Sequence, residues 1–408
     1  MNKRITKETF IYILGTLAIL AIGFVLKYLQ TNGLSTEDFG NYTFISSFIG
    51  FTVLFFQMGF IPSLKLIISN ESPESQKKTL GIGFIITMVL GIVFSQFILL
   101  SSFFVDDIFN TNVSEIFLLC SPLFFSFLFV HFFNAVGIGK GKPSIGIYFE
   151  LISRGVFALT LYYFFILGEM SVLKVIILSI LSNIFSILLF FLILKPSFQD
   201  LKTSWERVKD MQRKFGKDYY LGSITNQSTF KIDDLLISAF VSPVQLGFYA
   251  LARLLCSPIG LASSALNNAL FRDYSKYKRI PGKIFIINAG FGLLGLIIIN
   301  LISDFIVSEI FGSEYAEVNN YIFLFSLAFL FMALYQPFNF LTAKGKGKVV
   351  RNTALVESGV NLSGNFILIP IIGLYGALIT TLCARMVHFG MKWYYYRLYL
   401  KEISQSNV

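Results

Sequence analysis

The sequence predicts an all-α integral membrane protein of about twelve transmembrane helices, in two six-helix bundles related by a parallel internal repeat. Three observations lead there: apolar runs as long as a bilayer is thick, an alternation of charge between successive loops, and short motifs recurring at one offset. Of the 408 residues, 55% are hydrophobic and 14% charged, and the mean hydropathy is +0.71. A soluble domain carries about 25% charged residues, which keep its surface hydrated. Here nearly all apolar residues fall in runs of about 18 to 25, the length of a helix crossing roughly 30 Å of hydrocarbon. Lipid offers no partner for an exposed peptide group, so each run must be helical.

The same composition excludes several classes. A net charge of +10 invites a nucleic-acid reading. The bases, however, lie in short loops between apolar runs, without the continuous patch a phosphate backbone needs. Cys120, Cys256 and Cys383 sit inside apolar runs and read as small core residues, so disulfides and zinc sites are not expected. His131 and His388 stand alone in the sequence, so no metal centre and no cofactor is expected. The N-terminal Met-Asn-Lys-Arg-Ile-Thr-Lys leads into a run of about twenty apolar residues with no small-residue cleavage site, and reads as a retained span rather than a signal peptide.

In order, the runs predict helices over 9–32, 41–66, 79–104, 115–138, 144–167, 171–194, 217–240, 246–270, 283–306, 319–342, 350–371 and 374–396. Loop charges test this series. One side gathers Lys3, Arg4 and Lys7, then Lys65, Lys77 and Lys78, then Lys140 and Lys142. The linker carries Lys195, Lys202, Arg207, Lys209, Arg213, Lys214 and Lys217. The same side continues with Arg272, Lys276, Lys278, Arg279 and Lys283, then Lys344, Lys346, Lys348 and Arg351, and finally Lys392, Arg397 and Lys401. The other side holds Glu37, Asp38, Asp106, Asp107, Glu115, Glu169, Asp304, Glu309, Glu314 and Glu317, with Lys174 as its only base. The positive-inside rule then places both termini in the cytoplasm, and one span more or fewer would scramble the alternation.

Leu34-Ser35-Thr-Glu-Asp-Phe-Gly40-Asn-Tyr42 is echoed by Val241-Ser242-Pro-Val-Gln-Leu-Gly247-Phe-Tyr249. Phe133-Asn134…Gly139-Lys-Gly-Lys142 is echoed by Phe338-Asn339…Gly345-Lys-Gly-Lys348. The helix after each Gly-Lys-Gly-Lys loop bears a lone glutamate, Glu150 or Glu357. One shared offset argues for duplication into halves 1–205 and 206–408, joined by the basic linker 195–217. Pro62, Pro122, Pro258 and Pro337 do not match at this offset, so helix kinks are not required to be symmetric. An even number of spans gives two halves of like orientation, related by an axis along the membrane normal; rocking one against the other exposes a central site to each side in turn.

Charges inside spans are costly and mark sites. They are Lys27, Glu150, Arg154, Lys231, Asp233, Asp234, Arg253, Glu357 and Arg385. Arg154, Arg253 and Arg385, with Lys231 and Lys27, are candidates for a pyrophosphate- or sugar-bearing substrate, since a guanidinium fork matches phosphate oxygens bidentately. The alternative for each arginine is a structural tie between helices. Asp233, Asp234, Glu150 and Glu357 are candidates for ion coupling or gating. Glu150 and Arg154, four apart, either neutralise each other or serve substrate. Lys231 and Asp234 are also close enough to pair, and Lys27 either meets Asp234, its counterpart in the other half, or snorkels. Asp233 and Asp234 are consecutive and cannot share one partner. Asn226, Gln227, Asn267, Asn268, Gln336, Asn339, Asn361 and Asn365 are either partners for sugar hydroxyls or glue between helices.

The Leu34–Tyr42 loop, Gly247-Phe-Tyr-Ala-Leu-Ala-Arg253, Phe311-Gly-Ser-Glu-Tyr315, Gly345-Lys-Gly-Lys348 and Gly373-Leu-Tyr-Gly-Ala377 together resemble the Wzx-type polysaccharide flippases of the multidrug/oligosaccharidyl-lipid/polysaccharide exporter superfamily. The resemblance covers nearly the whole chain, although the family has no invariant catalytic signature. It implies a twelve-helix transporter, not an enzyme. Its substrate would be undecaprenyl-pyrophosphate-linked oligosaccharide repeat units, the O-antigen (lipopolysaccharide) or capsule precursors, moved from the cytoplasmic to the periplasmic leaflet of the bacterial inner membrane by alternating access. The implied partners are the lipid-linked oligosaccharide, membrane lipids, a proton or sodium ion, and as candidate associates a polysaccharide polymerase and a chain-length regulator. A monomer is expected, both halves being in one chain. The rival on the same fold is a cation-coupled multidrug antiporter, which favours acids over bases in its cavity. A membrane polymerase or glycosyltransferase would carry a large external loop. Here every external loop is about fifteen residues or fewer, within the length of ordinary connections, and Asp106-Asp107 stands alone.

Overall fold

The computed structural model describes the backbone of residues 3–274 and 276–406, and the side chains of 11 and 14–405 except 218–219, 221–223, 225–230, 268–269, 272–273 and 275. Lys3, Arg4, Lys7, Asn226, Gln227, Asn268 and Arg272 lie outside the described side chains. Among the described residues every regular element is a helix, and eleven helices are long and apolar enough to cross a membrane. The chain divides into two compact units, Met1–Ser228 and Thr229–Val408.

The first unit runs α1 (Lys3–Gly33), α2 (Thr36–Phe56), α3 (Phe60–Ser69), α4 (Pro73–Ser101), α5 (Val105–Phe109), α6 (Ser114–Cys120), α7 (Leu128–Gly139), α8 (Ser144–Ile166), α9 (Val172–Leu194) and α10 (Leu201–Met211). The helix α11 (Lys217–Phe240) begins in this unit and ends in the next. The second unit continues with α12 (Pro243–Tyr274), α13 (Gly282–Phe305), α14 (Asn319–Tyr335), α15 (Asn339–Ala343), α16 (Gly347–Ile372) and α17 (Leu374–Ser406). In the first unit α1 packs on α8, α8 on α9, and α7 between α3 and α8; in the second, α16 packs along α17 and α14 against α12, α13 and α17.

Aromatic packing absorbs much of the phenylalanine content. Phe133 stacks on Phe149 with centroids 4.6 Å apart, and Phe84 meets Phe129 at 4.9 Å and Phe191 at 5.0 Å. Such tilted and edge contacts add about 0.5–1.5 kcal/mol each beyond the area they bury. In the second unit Phe338, Phe340, Tyr274 and Tyr396 form the comparable cluster, and the Tyr396 hydroxyl accepts the Ile280 N–H at 3.0 Å.

The structure departs from the expected elements at four places. The span expected over 41–66 is broken after Phe56 and resumes at Phe60, because Met58 and Gly59 turn left-handed with φ of 47° and 76°. Gly59 presses directly on the backbone of Gly216, which leaves no space for a Cβ on either residue. The expected span over 217–240 forms a helix, α11, but is not among the eleven apolar ones; Lys217, Asp218, Lys231, Asp233 and Asp234 lower its hydropathy. The linker 195–217, read as a loop, contains α10. That helix is fixed to the first unit by Trp205 stacked on Phe60 at 5.8 Å, by Lys78–Asp200 at 2.6 Å and by an Arg207–Glu71 ion pair. Finally, Cys120 and Cys256 are buried as expected, whereas Cys383 is exposed rather than in a core.

Each unit repeats the same local devices. Ser35 accepts the Asp38 N–H at 3.1 Å ahead of α2, and Ser242 accepts the Gln245 N–H at 3.2 Å ahead of α12, so the repeated serine is in both cases a helix cap. The two Gly-Lys-Gly-Lys loops turn through a left-handed glycine, Gly141 at φ 64° and Gly345 at φ 72°. Each then closes with a backbone bond five residues back, Lys142 N–H to Gly137 at 2.8 Å and Lys346 N–H to Leu341 at 3.0 Å.

Candidate functional site

In the first unit, five helices converge on a cavity of about 400 Å³. Glu150, Ser153 and Arg154 reach it from one face of α8, as their spacing of three and four requires. Lys27 comes from α1, Tyr42 and Ser46 from α2, His131 from α7 and Asn183 from α9. The Glu150 carboxylate accepts the Asn134 amide at 3.1 Å and stands 3.7 Å from the Arg154 guanidinium, a loose ion pair. Arg154 keeps 46% of its side chain exposed. The Lys27 ammonium lies 4.6 Å from the Phe39 ring and 5.2 Å from that of Tyr42, which stabilises a cation away from bulk water. Ser153 donates to Asn183 at 2.7 Å. Two cations facing one carboxylate leave the wall with a formal excess of one positive charge, flanked by hydroxyls and amides. Such a wall can hold an anion that also bears hydroxyl groups.

In the second unit the remaining candidates form two buried groups. Asp233 and Asp234 take different partners. Arg253 donates both terminal nitrogens to Asp234, at 2.9 and 3.0 Å, so the fork that would grip a phosphate is occupied by a carboxylate. Asp233 accepts the Asn365 amide at 2.6 Å and the Tyr249 hydroxyl at 3.4 Å. Asn365 also donates to Asn361 at 3.3 Å, and Thr381 lies 3.5 Å from the Tyr249 hydroxyl. The buried oxygens Asn365 Oδ1 and Thr380 Oγ1 make no hydrogen bond. Lys231 is half-buried on α11, one turn before Asp234.

The second group centres on Glu357 of α16. Its carboxylate meets His388 Nδ1 at 2.5 Å and Arg385 Nε at 3.9 Å. Arg385 donates to the Tyr335 hydroxyl at 2.5 Å, and the His388 ring lies over Tyr335 with centroids 4.3 Å apart. Lys392 is buried beside them, its ammonium 5.6 Å from the Tyr335 ring. Sequence reasoning missed three members. His388 is not alone but is the nearest partner of Glu357. Lys392 is not a loop base but belongs to this group, and Tyr335 links the two sides. A signal was present: 385, 388 and 392 follow the three-and-four spacing of one helical face. Among the described residues no group of three or more His, Cys, Asp or Glu is arranged to hold a metal ion.

The sequence model described as "Polysaccharide biosynthesis protein" matches residues 5–271. No curated protein sequence matches significantly. Among solved structures, an inward-facing multidrug resistance MATE family transporter of the MOP superfamily superposes with a TM-score of 0.68 at 15% identity, covering 95% of this chain and 96% of that one. The lipid II flippase MurJ, inward closed, gives 0.65 at 16% identity over 94% and 87%. A MOP superfamily transporter from Pyrococcus furiosus, described as having a binding pocket of reverse polarity, gives 0.59 at 14% identity over 96% of each chain. At these identities the likeness shows the fold, which is that of two-lobed MOP-type transporters.

Proposed function

The chain belongs to the polysaccharide biosynthesis protein family, and on that premise we propose that it is a flippase for undecaprenyl-pyrophosphate-linked oligosaccharide repeat units. It carries these O-antigen or capsule precursors from the cytoplasmic to the periplasmic leaflet of the bacterial inner membrane, with both termini cytoplasmic and the halves 1–205 and 206–408 alternating access. A pyrophosphate bearing several sugars cannot cross hydrocarbon unaided, because its charges and each unpaired hydroxyl cost several kcal/mol there. The observation that carries the reading is the cationic, hydroxyl-lined cavity built by Lys27, Arg154, Ser153 and Asn183. Arg154 and Lys27 take the pyrophosphate. Arg253, held by Asp234, ties helices together, and Asp233, which accepts the Asn365 amide and the Tyr249 hydroxyl, is the ion-responsive carboxylate.

A cation-coupled multidrug antiporter is the second reading. The buried carboxylate of Asp233, which accepts the Asn365 amide and the Tyr249 hydroxyl, supports it, and the excess positive charge around Arg154 argues against it. Proteoliposomes separate the two. A lipid-linked oligosaccharide whose sugars become accessible across the bilayer only when the protein is present supports the flippase. A charge-assisted hydrogen bond contributes about 1.5–3 kcal/mol, so Arg154→Ala slows crossing by about tenfold to a hundredfold. No crossing, with gradient-driven uptake of a cationic dye instead, establishes the antiporter.

A further inference from the structure

The N-termini of α4 and α10 border a polar cleft of about 350 Å³, which shares no lining residue with the cavity of Arg154. Ser72, Glu74 and Ser75 line it from the start of α4, and Asp200, Thr203 and Ser204 from the start of α10. Lys78 and Arg207, one turn further along each helix, complete the wall. Neither N-cap residue, Ser72 or Asp200, caps its helix with its side chain. The first-turn N–H groups have no acceptor within their helices, and each terminus carries about half a positive charge.

Ser204 lines this cleft while only 4% exposed, and its hydroxyl makes no hydrogen bond among the described residues. A buried hydroxyl without a partner is costly, and a ligand oxygen in the cleft removes that cost. Arg207 donates through Nη1 alone, to Glu71 and to Ser75 Oγ, the latter at 3.3 Å. The rest of its guanidinium has no acceptor among the described residues. Formally the lining is neutral, with Lys78 and Arg207 set against Glu74 and Asp200, so a bare anion meets carboxylates as well as cations. A molecule bearing both a phosphate and hydroxyls suits every group. Its phosphate accepts from the helix N-termini, Ser204 and Arg207, and its hydroxyls donate to Glu74 and Asp200.

We propose that this cleft binds a soluble sugar phosphate, its phosphate between the two helix N-termini beside Ser204 and Arg207, its hydroxyls against Glu74 and Asp200. A glycolipid headgroup bears the same groups, but the lining offers no apolar side chain to acyl chains. The volume lies at the lower end of the range for small-molecule sites, about 300–1,000 Å³. After α10 the chain runs through a short π-helical stretch into α11, which ends in the second unit. A ligand that joins α4 to α10 therefore acts on the linker, whatever the transport cavity carries.

Titration calorimetry of glucose 6-phosphate into the detergent-purified full chain tests this. Glucose lacks the phosphate, inorganic phosphate lacks the hydroxyls, and dioctanoyl phosphatidylinositol presents both on a lipid. The expected result is glucose 6-phosphate bound at least about tenfold tighter than any of the three. Thr203→Glu sets a carboxylate where the phosphate sits, yet an acid in the first turn suits the helix. Binding is lost in that variant while thermal unfolding without ligand is unchanged; if it does not fold, Ser204→Ala decides. Ser204→Ala weakens binding about three- to tenfold, and Arg154→Ala leaves it within about twofold. Binding that both cleft variants leave unaltered overturns the site, as does no binding at all. Binding lost with Arg154→Ala places the sugar phosphate in the transport cavity and overturns it too. Equal affinity for inorganic phosphate reduces the cleft to an anion site, and equal competition by phosphatidylinositol assigns it to a lipid headgroup; either result overturns the soluble sugar phosphate.

Discussion

Arg253 was attractive as a phosphate ligand, yet both its terminal nitrogens donate to Asp234 at 2.9 and 3.0 Å. The side chain of Asp234 is only 5% exposed, that of Arg253 36%. Removing one partner of a buried pair costs about 3–5 kcal/mol, because a desolvated charge is left without compensation. Partial exposure of Arg253 puts the cost of Arg253→Met near the lower limit, about 3 kcal/mol, or more than a hundredfold in the folding equilibrium. Replacing both residues, with Asp234→Leu added, leaves no buried charge and returns stability to within about 1 kcal/mol of wild type. Thermal and denaturant unfolding of the purified protein measures all four corners of this cycle. Transport is read in parallel: if the pair is a tie between helices, the double variant recovers flipping as well as stability. Arg253→Met as stable as wild type, or a double variant no more stable than the single, would refute the structural assignment. A double variant that is stable and inactive returns Arg253 to the substrate.

Other outcomes follow from the same geometry. Asp106 accepts Thr111 Oγ1 and the Val113 N–H, both at 2.8 Å, and the Ser114 N–H at 3.1 Å. Burial alone would raise its pKa, but these hydrogen bonds outweigh it and hold the carboxyl below the usual aspartate value. Asp106→Asn therefore costs about 1–2 kcal/mol. The difference is full above pH ~3.9 and shrinks as the pH falls through the lowered folded-state value, which an unfolding series in acid checks. Gly59→Ala, at φ 76° against Gly216, destabilises by at least about 1–2 kcal/mol, while Met58→Gly at φ 47° is neutral or stabilising by up to about 1 kcal/mol; thermal melts of the two distinguish backbone strain from lost side-chain contact. Glu357→Gln leaves Arg385 and Lys392 without their shared carboxylate and lowers stability by about 2 kcal/mol or more, an effect that a further His388→Ala does not add to in full, by double-mutant cycle. Asp233→Asn removes the dependence of transport on an imposed proton or sodium gradient and leaves the folded yield unchanged.

The apolar spans were legible because they depend on length and composition alone. The break after Phe56 was not, since its determinant is Gly216, distant in sequence, and the apolar run continues through it unchanged. The Asp234–Arg253 pair could have been found: α11 and α12 are antiparallel neighbours joined at Ser242, so residues about equally far from that turn lie level with one another. The reading paired residues within one helix instead, Lys231 with Asp234, and overlooked the neighbour. His388 and Lys392 were discounted for opposite reasons, one for being single and the other for being basic near a terminus. Only the placement of Glu357 on the facing helix α16 gives them a common partner.

The interruption between α2 and α3 also has a consequence for biogenesis. Carbonyls beside it are served by the linker region, Phe55 by the Tyr220 hydroxyl at 2.5 Å and Met58 by the Gln212 amide at 3.1 Å. Those donors are synthesised more than 150 residues after the acceptors they reach. At roughly 5–20 residues per second, the hairpin waits on the order of ten seconds in the nascent chain before its backbone is satisfied. Until then water must remain at that point. The interruption between α2 and α3 is thus completed only once the start of α11 has been made, and the order of synthesis becomes part of how the first unit closes.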